Sequence, residues 1–414
     1  LTATADAPTR KDIVKLLGLT EGRSFVAGFD RPNIHYSVME KQSAKQQLVE
    51  FLKSHAAESG IVYCLSRKSA DETAAFLVEQ GVEALPYHAG MDAASRAKNQ
   101  ERFLREESMI VVATIAFGMG IDKPDVRFVV HMNLPKSIEA YYQETGRAGR
   151  DGLPSDVLML YGMSDVASLR NFITESNAPE AQKRIEGHKL NTLLGYCETT
   201  RCRRQVLLEY FGDTCEPCGN CDTCQQPQEV FDATIAAQKA ISCVLRTDQR
   251  FGVVYLIDVL LGKENDRVCQ FGHDQVSTFG IGEEFNKQEW RSIFRQLVAF
   301  NLLMVDMAGH GGLKVTAEGW QFLREKRTLE LRRYTGKAKT ARKARQPAVD
   351  LPEEDLALFT QLKVKRTELA KAQNVPPYVI FHDKTLREMA ALKPHDREGM
   401  GSISGVGESK LERY

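Results

Sequence analysis

The chain holds no apolar run as long as the roughly 18 residues a membrane-spanning helix needs, and no secretory leader pattern. It has no net charge, because 55 lysines and arginines match 55 aspartates and glutamates. No whole-molecule field draws it toward a polyanion, so any such attraction is local. It contains neither Gly-x-x-x-x-Gly-Lys-Ser/Thr nor an Asp-Glu-x-His cluster behind a strand. The phosphate-cradling loop and its companion carboxylates are therefore not in these 414 residues. There is no initiator methionine: the chain opens Leu1-Thr2-Ala3-Thr4-Ala5-Asp6. Thr9 is expected to cap a helix carrying Ile13, Leu16 and Leu17 on one face, with Asp12 as its reciprocal acid. An opening at such a junction reads as the back part of a longer chain.

What is present is ordinary globular material, 43% hydrophobic and 27% charged, long enough for several domains. Gly60–Leu65, Met109–Ala113 and Val126–His131 are unbroken apolar runs of the kind found in buried parallel strands. Val82–Tyr87 and Val157–Tyr161 add two more strands. Helical patterns lie between them, at Ala70–Leu77, Ala93–Glu107 and Ser137–Thr145. This alternation predicts an α/β fold with a parallel sheet covered on both faces. Ligands in such folds sit at the carboxyl ends of the strands.

Two loops at those ends carry chemistry. Thr114–Asp122 places Gly118 and Gly120 around Met119 and finishes on a carboxylate. Its plainer reading is a glycine turn with a capping aspartate. Tyr141–Gly152 reads YYQETGRAGRDG, with Arg147 and Arg150 among three glycines where a helix must break. Guanidinium forks match phosphate oxygens, and an arginine over a transferring phosphoryl group stabilises its developing charge. Pairing with surface acids is the alternative.

Of nine cysteines, six fall between Cys197 and Cys224. Two predicted helices, Gln182–Cys197 and Arg201–Phe211, precede Cys215-x-x-Cys218-x-x-Cys221-x-x-Cys224. Such knuckles turn thiolates toward one ion, and zinc takes four ligands in a tetrahedron. Cys218, Cys221 and Cys224 supply three. Spacing leaves Cys197, Cys202 and Cys215 open as the fourth, and an iron–sulfur cluster as the alternative occupant. Arg203 and Arg204 lie on the second helix, where positive charge suits phosphate. Beyond Pro227, helices at Ala233–Thr247, Gly252–Leu261 and Asn286–Asn301 lead to strands Leu302–Met307 and Leu313–Thr316, with His310 at the tip between them. Helices closed by a hairpin form the winged variant of helix-turn-helix. Arg332–Arg345 has seven basic residues and no acid, which reads as a flexible linker. Leu351–Tyr414 is a helical unit with Tyr378 in a proline turn, Lys363, Lys365, Arg366 and Lys371 as candidate backbone contacts, and Asp383 as a helix cap.

Together these strings resemble the RecQ family of ATP-dependent DNA helicases over essentially the whole chain. Thr2–Asp6 resembles helicase motif III. Phe29-Asp30-Arg31-Pro32-Asn33-Ile34 is similar to the phrase that opens the second motor lobe. Ile61–Arg67, Thr114–Lys123 and Tyr141–Gly152 are similar to motifs IV, V and VI. Aspartate at 122 departs from an asparagine in bacterial relatives. Leu351–Tyr414 is similar to the HRDC module.

The resemblance implies a RecA-like lobe followed by a zinc-binding helical hairpin, a winged helix and an all-α HRDC-like domain. Its boundaries are 1–20 for the end of a first lobe, 21–175 for the second lobe, 176–226 for the zinc hairpin, 227–331 for the winged helix, 332–350 for the linker and 351–414 for the HRDC unit. It assigns Cys202 as the fourth ligand of a structural Zn2+. It places Arg150, Arg147 and Gln143 at the nucleotide, and makes Gly120 and Asp122 couple that cleft to DNA. It puts Arg67, Thr114, Arg203, Arg204, His310, Lys365 and Tyr378 on the nucleic acid. It implies 3′-to-5′ DNA unwinding in recombination and repair, with ATP and Mg2+ held jointly by an absent first lobe. Its partners are single-stranded DNA, single–double-strand junctions and a single-strand-binding protein, around a monomer in the bacterial cytoplasm and nucleoid. The competing reading is a non-hydrolysing fragment that grips DNA junctions.

Overall fold

The computed structural model describes residues 7–19, 28–115, 117, 121–306, 311–325, 327–334 and 352–414. They fall into two compact units: Leu1–Pro135, Tyr141–Tyr161 and Arg342–Tyr414 in one, Lys136–Ala140 and Gly162–Ala341 in the other.

The first unit is built on a six-stranded sheet, all of whose pairs are parallel. Its strands are β1 (Ile34–Glu40), β2 (Ser59–Tyr63), β3 (Ala84–Tyr87), β4 (Ile110–Ala113), β5 (Val126–His131) and β6 (Ser155–Tyr161), in the order β1-β6-β5-β2-β4-β3. Every residue of β2, β4, β5 and β6 is buried, as two-sided coverage demands of continuous apolar runs. Pro86 sits in β3, an edge strand, where a missing amide costs no ladder bond. Helices Ala44–Leu52 and Arg67–Glu79 lay Leu48, Leu52, Ala70, Ala74 and Leu77 against Val62, Val112 and Val130.

β1 is not among the strands expected from the sequence. Ile34–Glu40 is not an unbroken apolar run, since His35, Ser37 and Glu40 interrupt it, yet it pairs with β6 along its whole length. Thr9 is not a cap: it lies inside helix Ala7–Leu16. Thr2–Asp6 lie outside the described residues.

The C-terminal helices of this unit, Glu353–Ala372, Pro377–Ile380, Asp383–Leu392, Arg397–Gly401 and Glu408–Arg413, close over Leu386, Met389, Ile403 and Val406. Asp383 does not cap its helix. His382 holds that position, and the Asp383 carboxylate pairs with Arg366 at 2.7 Å.

The second unit begins with helices Met163–Glu175, Glu180–Glu198 and Arg203–Tyr210, of which the second and third form the hairpin. A winged helix follows: helices Thr234–Arg246, Val253–Leu260 and Lys287–Ala299, then an antiparallel hairpin, Leu303–Asp306 with Gly312–Val315. Asn286 and Glu289 form a reciprocal capping box on the third helix. Buried Trp290 donates to the Gly282 carbonyl at 2.7 Å. A two-stranded ribbon, Val230–Asp232 with Glu330–Arg332, was not anticipated, because three-residue strands carry no periodic signal.

That ribbon brings Arg332 to buried Glu198, whose other oxygen accepts from Arg295: the distances are 2.7 and 2.6 Å. Gln296 closes the junction with both backbone groups of Arg332. Burial opposes the Glu198 charge, but Arg295 and Arg332 outweigh it and hold the carboxyl below its ordinary range.

Candidate functional site

The turn after helix Ile138–Thr145 is fixed by the residues just before β1. Arg31 donates to three carbonyls there, Gly146 at 3.0 Å, Ala148 at 2.7 Å and Gly149 at 2.9 Å. Asn33 donates to Gly149 and Leu153, both at 2.8 Å. Gly149 adopts φ +57°, and a Cβ on it would stand 2.4 Å from Asn33 Nδ2 and from Ser155 Oγ. Only glycine fits both the conformation and the space. Side chains from just before β1 thereby satisfy carbonyls of the turn itself, while the last helical carbonyls, of Tyr142, Glu144 and Thr145, accept from the Gly146, Arg147 and Ala148 amides. Arg31 and Asn33 are site residues that reasoning from pattern missed. A polar Asp30-Arg31-Pro32-Asn33 cluster directly before a strand was the available signal.

This turn presents the arginines. Arg150 donates to Asp122 Oδ1 at 2.5 Å and to the Ile121 carbonyl at 3.2 Å, so two expected site residues meet. Asp122 is largely exposed and Arg150 about a third exposed, leaving the guanidinium accessible from solvent. Arg147 lies beside the Tyr63 hydroxyl; burial raises the Tyr63 pKa, and the Arg147 charge opposes it. Gln143 is exposed on the same helix. Gly120 lies outside the described residues.

Arg67 and Thr114 line one shallow groove of about 780 Å³ with Leu65, Ser66, Lys68 and Ala89. Ser66 caps helix Arg67–Glu79 by accepting from the Ser69 amide at 3.1 Å. The groove thus opens on a helix N-terminus beside two cations, a setting that favours phosphate.

In the second unit the ligand atoms of Cys202, Cys218, Cys221 and Cys224 lie within 4.8 Å of one another. A tetrahedron with Zn–S near 2.3 Å has edges of roughly 3.8 Å, and Cys221 Sγ stands 4.0 Å from Cys202 Sγ. Gly219 at φ +61° makes the knuckle's tight turn. The Cys218 amide donates to Cys202 Sγ and the Asn220 amide to Cys218 Sγ, both at 3.3 Å. Amide bonds of this kind stabilise thiolates. The donor set fits a closed, structural zinc centre with no open position. Cys197 is outside the group: it is fully buried, and burial pushes its thiol up to about 12. Cys215 is also outside, and its carbonyl accepts from Gln205.

Several expected DNA contacts are relocated. Arg203 is 1% exposed and its Nε is bound to Asp222 at 2.5 Å, while Nη1 donates to the Tyr196 carbonyl at 2.8 Å. It buttresses the knuckle from inside and presents no charge to a phosphate. Arg204 is buried as well. Arg366 is committed to Glu107 at 2.9 Å and to Asp383. Lys365 is exposed beside Glu368. Tyr378 is half-buried, and its phenol pKa is raised by burial and by the nearby Asp122 and Asp125 carboxylates. His310 and linker residues 335–350 lie outside the described residues.

A helicase conserved C-terminal domain matches residues 43–152, a RecQ zinc-binding domain 163–225, an RQC domain 227–340 and an HRDC domain 355–414. The ATP-dependent DNA helicase RecQ of Haemophilus influenzae is 41% identical over 100% of this chain and 67% of its own length. RecQ of Bacillus subtilis is 36% identical, again over the whole chain and 68% of that protein. The RecQ-like DNA helicase BLM of Xenopus laevis is 32% identical over the whole chain and 33% of that protein. The chain spans about two thirds of the length of its bacterial relatives. Full-length identity of this order, with the four matches in succession along the sequence, establishes that the chain belongs to the RecQ family of ATP-dependent DNA helicases.

Proposed function

We propose that these residues form the arginine-bearing half of an ATP-driven DNA helicase that unwinds 3′ to 5′. Arg150 is the finger that meets the γ-phosphate, Arg147 and Gln143 support it, and the Thr114–Asp122 loop relays nucleotide state to DNA through Gly120 and Asp122. The cradle for ATP and Mg2+ comes from a lobe that carries the Gly-Lys-Ser/Thr and Asp-Glu-x-His elements this sequence lacks. The observation that carries the reading is the turn itself: five side-chain hydrogen bonds from Arg31 and Asn33 hold its backbone, while Arg150 faces a single carboxylate it can exchange for a phosphate. Charge-stabilising donors act best when fixed in advance of the reaction.

Single-stranded DNA crosses the Arg67–Thr114 groove, and the hairpin of the winged helix meets the strand junction, where the family resemblance assigns His310. Lys365 and Tyr378 extend the track, Tyr378 by stacking on a base. The zinc hairpin is a structural strut. The protein works as a monomer in the bacterial cytoplasm, on single–double-strand junctions and alongside a single-strand-binding protein.

The test is Arg150→Ala in the complete helicase. An arginine finger is worth about a thousandfold or more in kcat, so DNA-stimulated ATP hydrolysis should fall by that factor with single-strand affinity unchanged. Unaltered hydrolysis would remove Arg150 from the site and favour the junction-binding reading.

A further inference from the structure

His131 is the last residue of β5, at the carboxyl end of the sheet, and its side chain is 1% exposed. Its Nε2 lies 2.7 Å from Glu144 Oε2, and Glu144 is itself buried. The ring is held between two aromatics. Tyr63, its ladder neighbour on β2, stacks on it at 5.2 Å and 22°, and Tyr141 packs at 5.3 Å. The Tyr63 hydroxyl donates to the Phe117 carbonyl at 3.1 Å, in the loop that leads to Asp122. The same hydroxyl neighbours Arg147. The imidazole therefore touches Glu144 at the helix end directly, and reaches the Phe117 loop and Arg147 only through the Tyr63 ring stacked on it. Nothing in the proposed nucleotide chemistry uses it.

We propose that His131 is a positioning residue for the arginine turn: its Nε2–H anchors the Glu144 carboxylate and thereby sets where Arg147 and Arg150 stand. Glu144 is three residues before Arg147, at the final turn of helix Ile138–Thr145. A buried carboxylate stripped of a donor draws in water or swings outward, because its charge must be satisfied. Either movement carries the helix end with it. Arg31 and Asn33 secure the far side of the turn, at Gly146–Leu153. His131 secures the near side, so the arginines are suspended between two fixed points. A misplacement of order 1 Å at a reacting centre costs about a hundredfold.

This inference rests on the proposed nucleotide role of the turn, and the experiment separates the two. His131→Phe keeps an aromatic ring in the slot and removes the donor, and His131→Gln restores a donor. Amide hydrogen exchange is read on the 414-residue chain, and kcat and KM for ATP are read on the complete helicase beside Arg150→Ala. His131→Phe should speed exchange across residues 144–150 while β5 stays protected, lower kcat about a hundredfold and change KM by less than roughly threefold. His131→Gln should recover most of both. Wild-type exchange in His131→Phe overturns the anchoring. So does loss of protection throughout the sheet that His131→Gln fails to restore, since that marks a general packing role. Wild-type kcat in His131→Phe with inactive Arg150→Ala overturns the positioning while leaving the nucleotide reading intact. Wild-type kcat in Arg150→Ala overturns that reading, and exchange still decides whether His131 orders the turn.

Discussion

The zinc knuckle and the arginine turn solve one problem in two ways. Each is a glycine-containing loop that must hold charged or reactive groups in a fixed array. The knuckle does so with four thiolates gathered from 23 residues of sequence, Cys202 to Cys224. The turn does so with neutral backbone carbonyls reached by Arg31 and Asn33 from more than 110 residues away. A metal centre concentrates its binding free energy in one ion, so losing any ligand is close to all-or-none. A set of hydrogen bonds divides it among partners, and losing one leaves the others. The knuckle is a strut that must not move. On the proposed function, the turn carries groups whose placement matters at the level of ångströms.

That contrast can be broken at graded points, and the largest effect belongs to the knuckle. Cys202→Ser should abolish zinc binding, measured as one zinc per chain falling to none, and unfold the hairpin. Structural zinc in small domains contributes roughly 10–16 kcal/mol. Cys215→Ser and Cys197→Ser should both keep the zinc. A Cys202→Ser protein that retains stoichiometric zinc would require a different fourth ligand.

Next comes Glu198, the carboxylate between Arg295 and Arg332. Glu198→Ala leaves the buried Arg295 and the partly buried Arg332 without their shared acid and should destabilise the winged-helix unit by about 3–5 kcal/mol in urea unfolding. Its pH dependence has a definite sign. The folded carboxyl lies below its ordinary value, so its contribution is complete above the unfolded pKa, near 4.3. It is lost as pH falls through the folded value. The stability gap between wild type and Glu198→Gln should thus narrow below about pH 4.3. A gap independent of pH down to acid unfolding would mean that the carboxylate's charge is not what stabilises the junction.

The smallest effect sharpens the comparison from the other side. Arg31→Ala removes three charge-assisted bonds to carbonyls, yet Asn33 still holds Gly149 and Leu153. The loss should be about 1.5–3 kcal/mol, with faster amide exchange confined to residues 146–153. Global unfolding of the sheet in Arg31→Ala would show that the turn supports the lobe and not the reverse.

The two regions also differ in how far the sequence revealed them. Cys218, Cys221 and Cys224 announce themselves by spacing, since a knuckle is local. The fourth ligand needed the family resemblance, because Cys197, Cys202 and Cys215 are separated only by three-dimensional position. Four fully buried strands were legible as apolar runs, whereas β1 was not, having a half-polar face at the sheet's edge. The arginines of the turn were legible by composition. What fixes them was not, because a side chain donating to a distant carbonyl leaves no periodic trace. Arg203 and Arg204 show the reverse error: a basic pair on a helix reads as a solvated, phosphate-seeking face, and here it is buried, Arg203 on Asp222.

The central claim is that this chain supplies the arginine half of a nucleotide site whose cradle lies elsewhere. Its most direct test is ATP hydrolysis by the zinc-loaded 414-residue chain alone, with saturating single-stranded DNA. Hydrolysis should stay at buffer background while DNA binding persists. Turnover at the roughly 10 s⁻¹ typical of enzymes would contradict that claim, because a complete phosphate cradle would then have to be present among these residues.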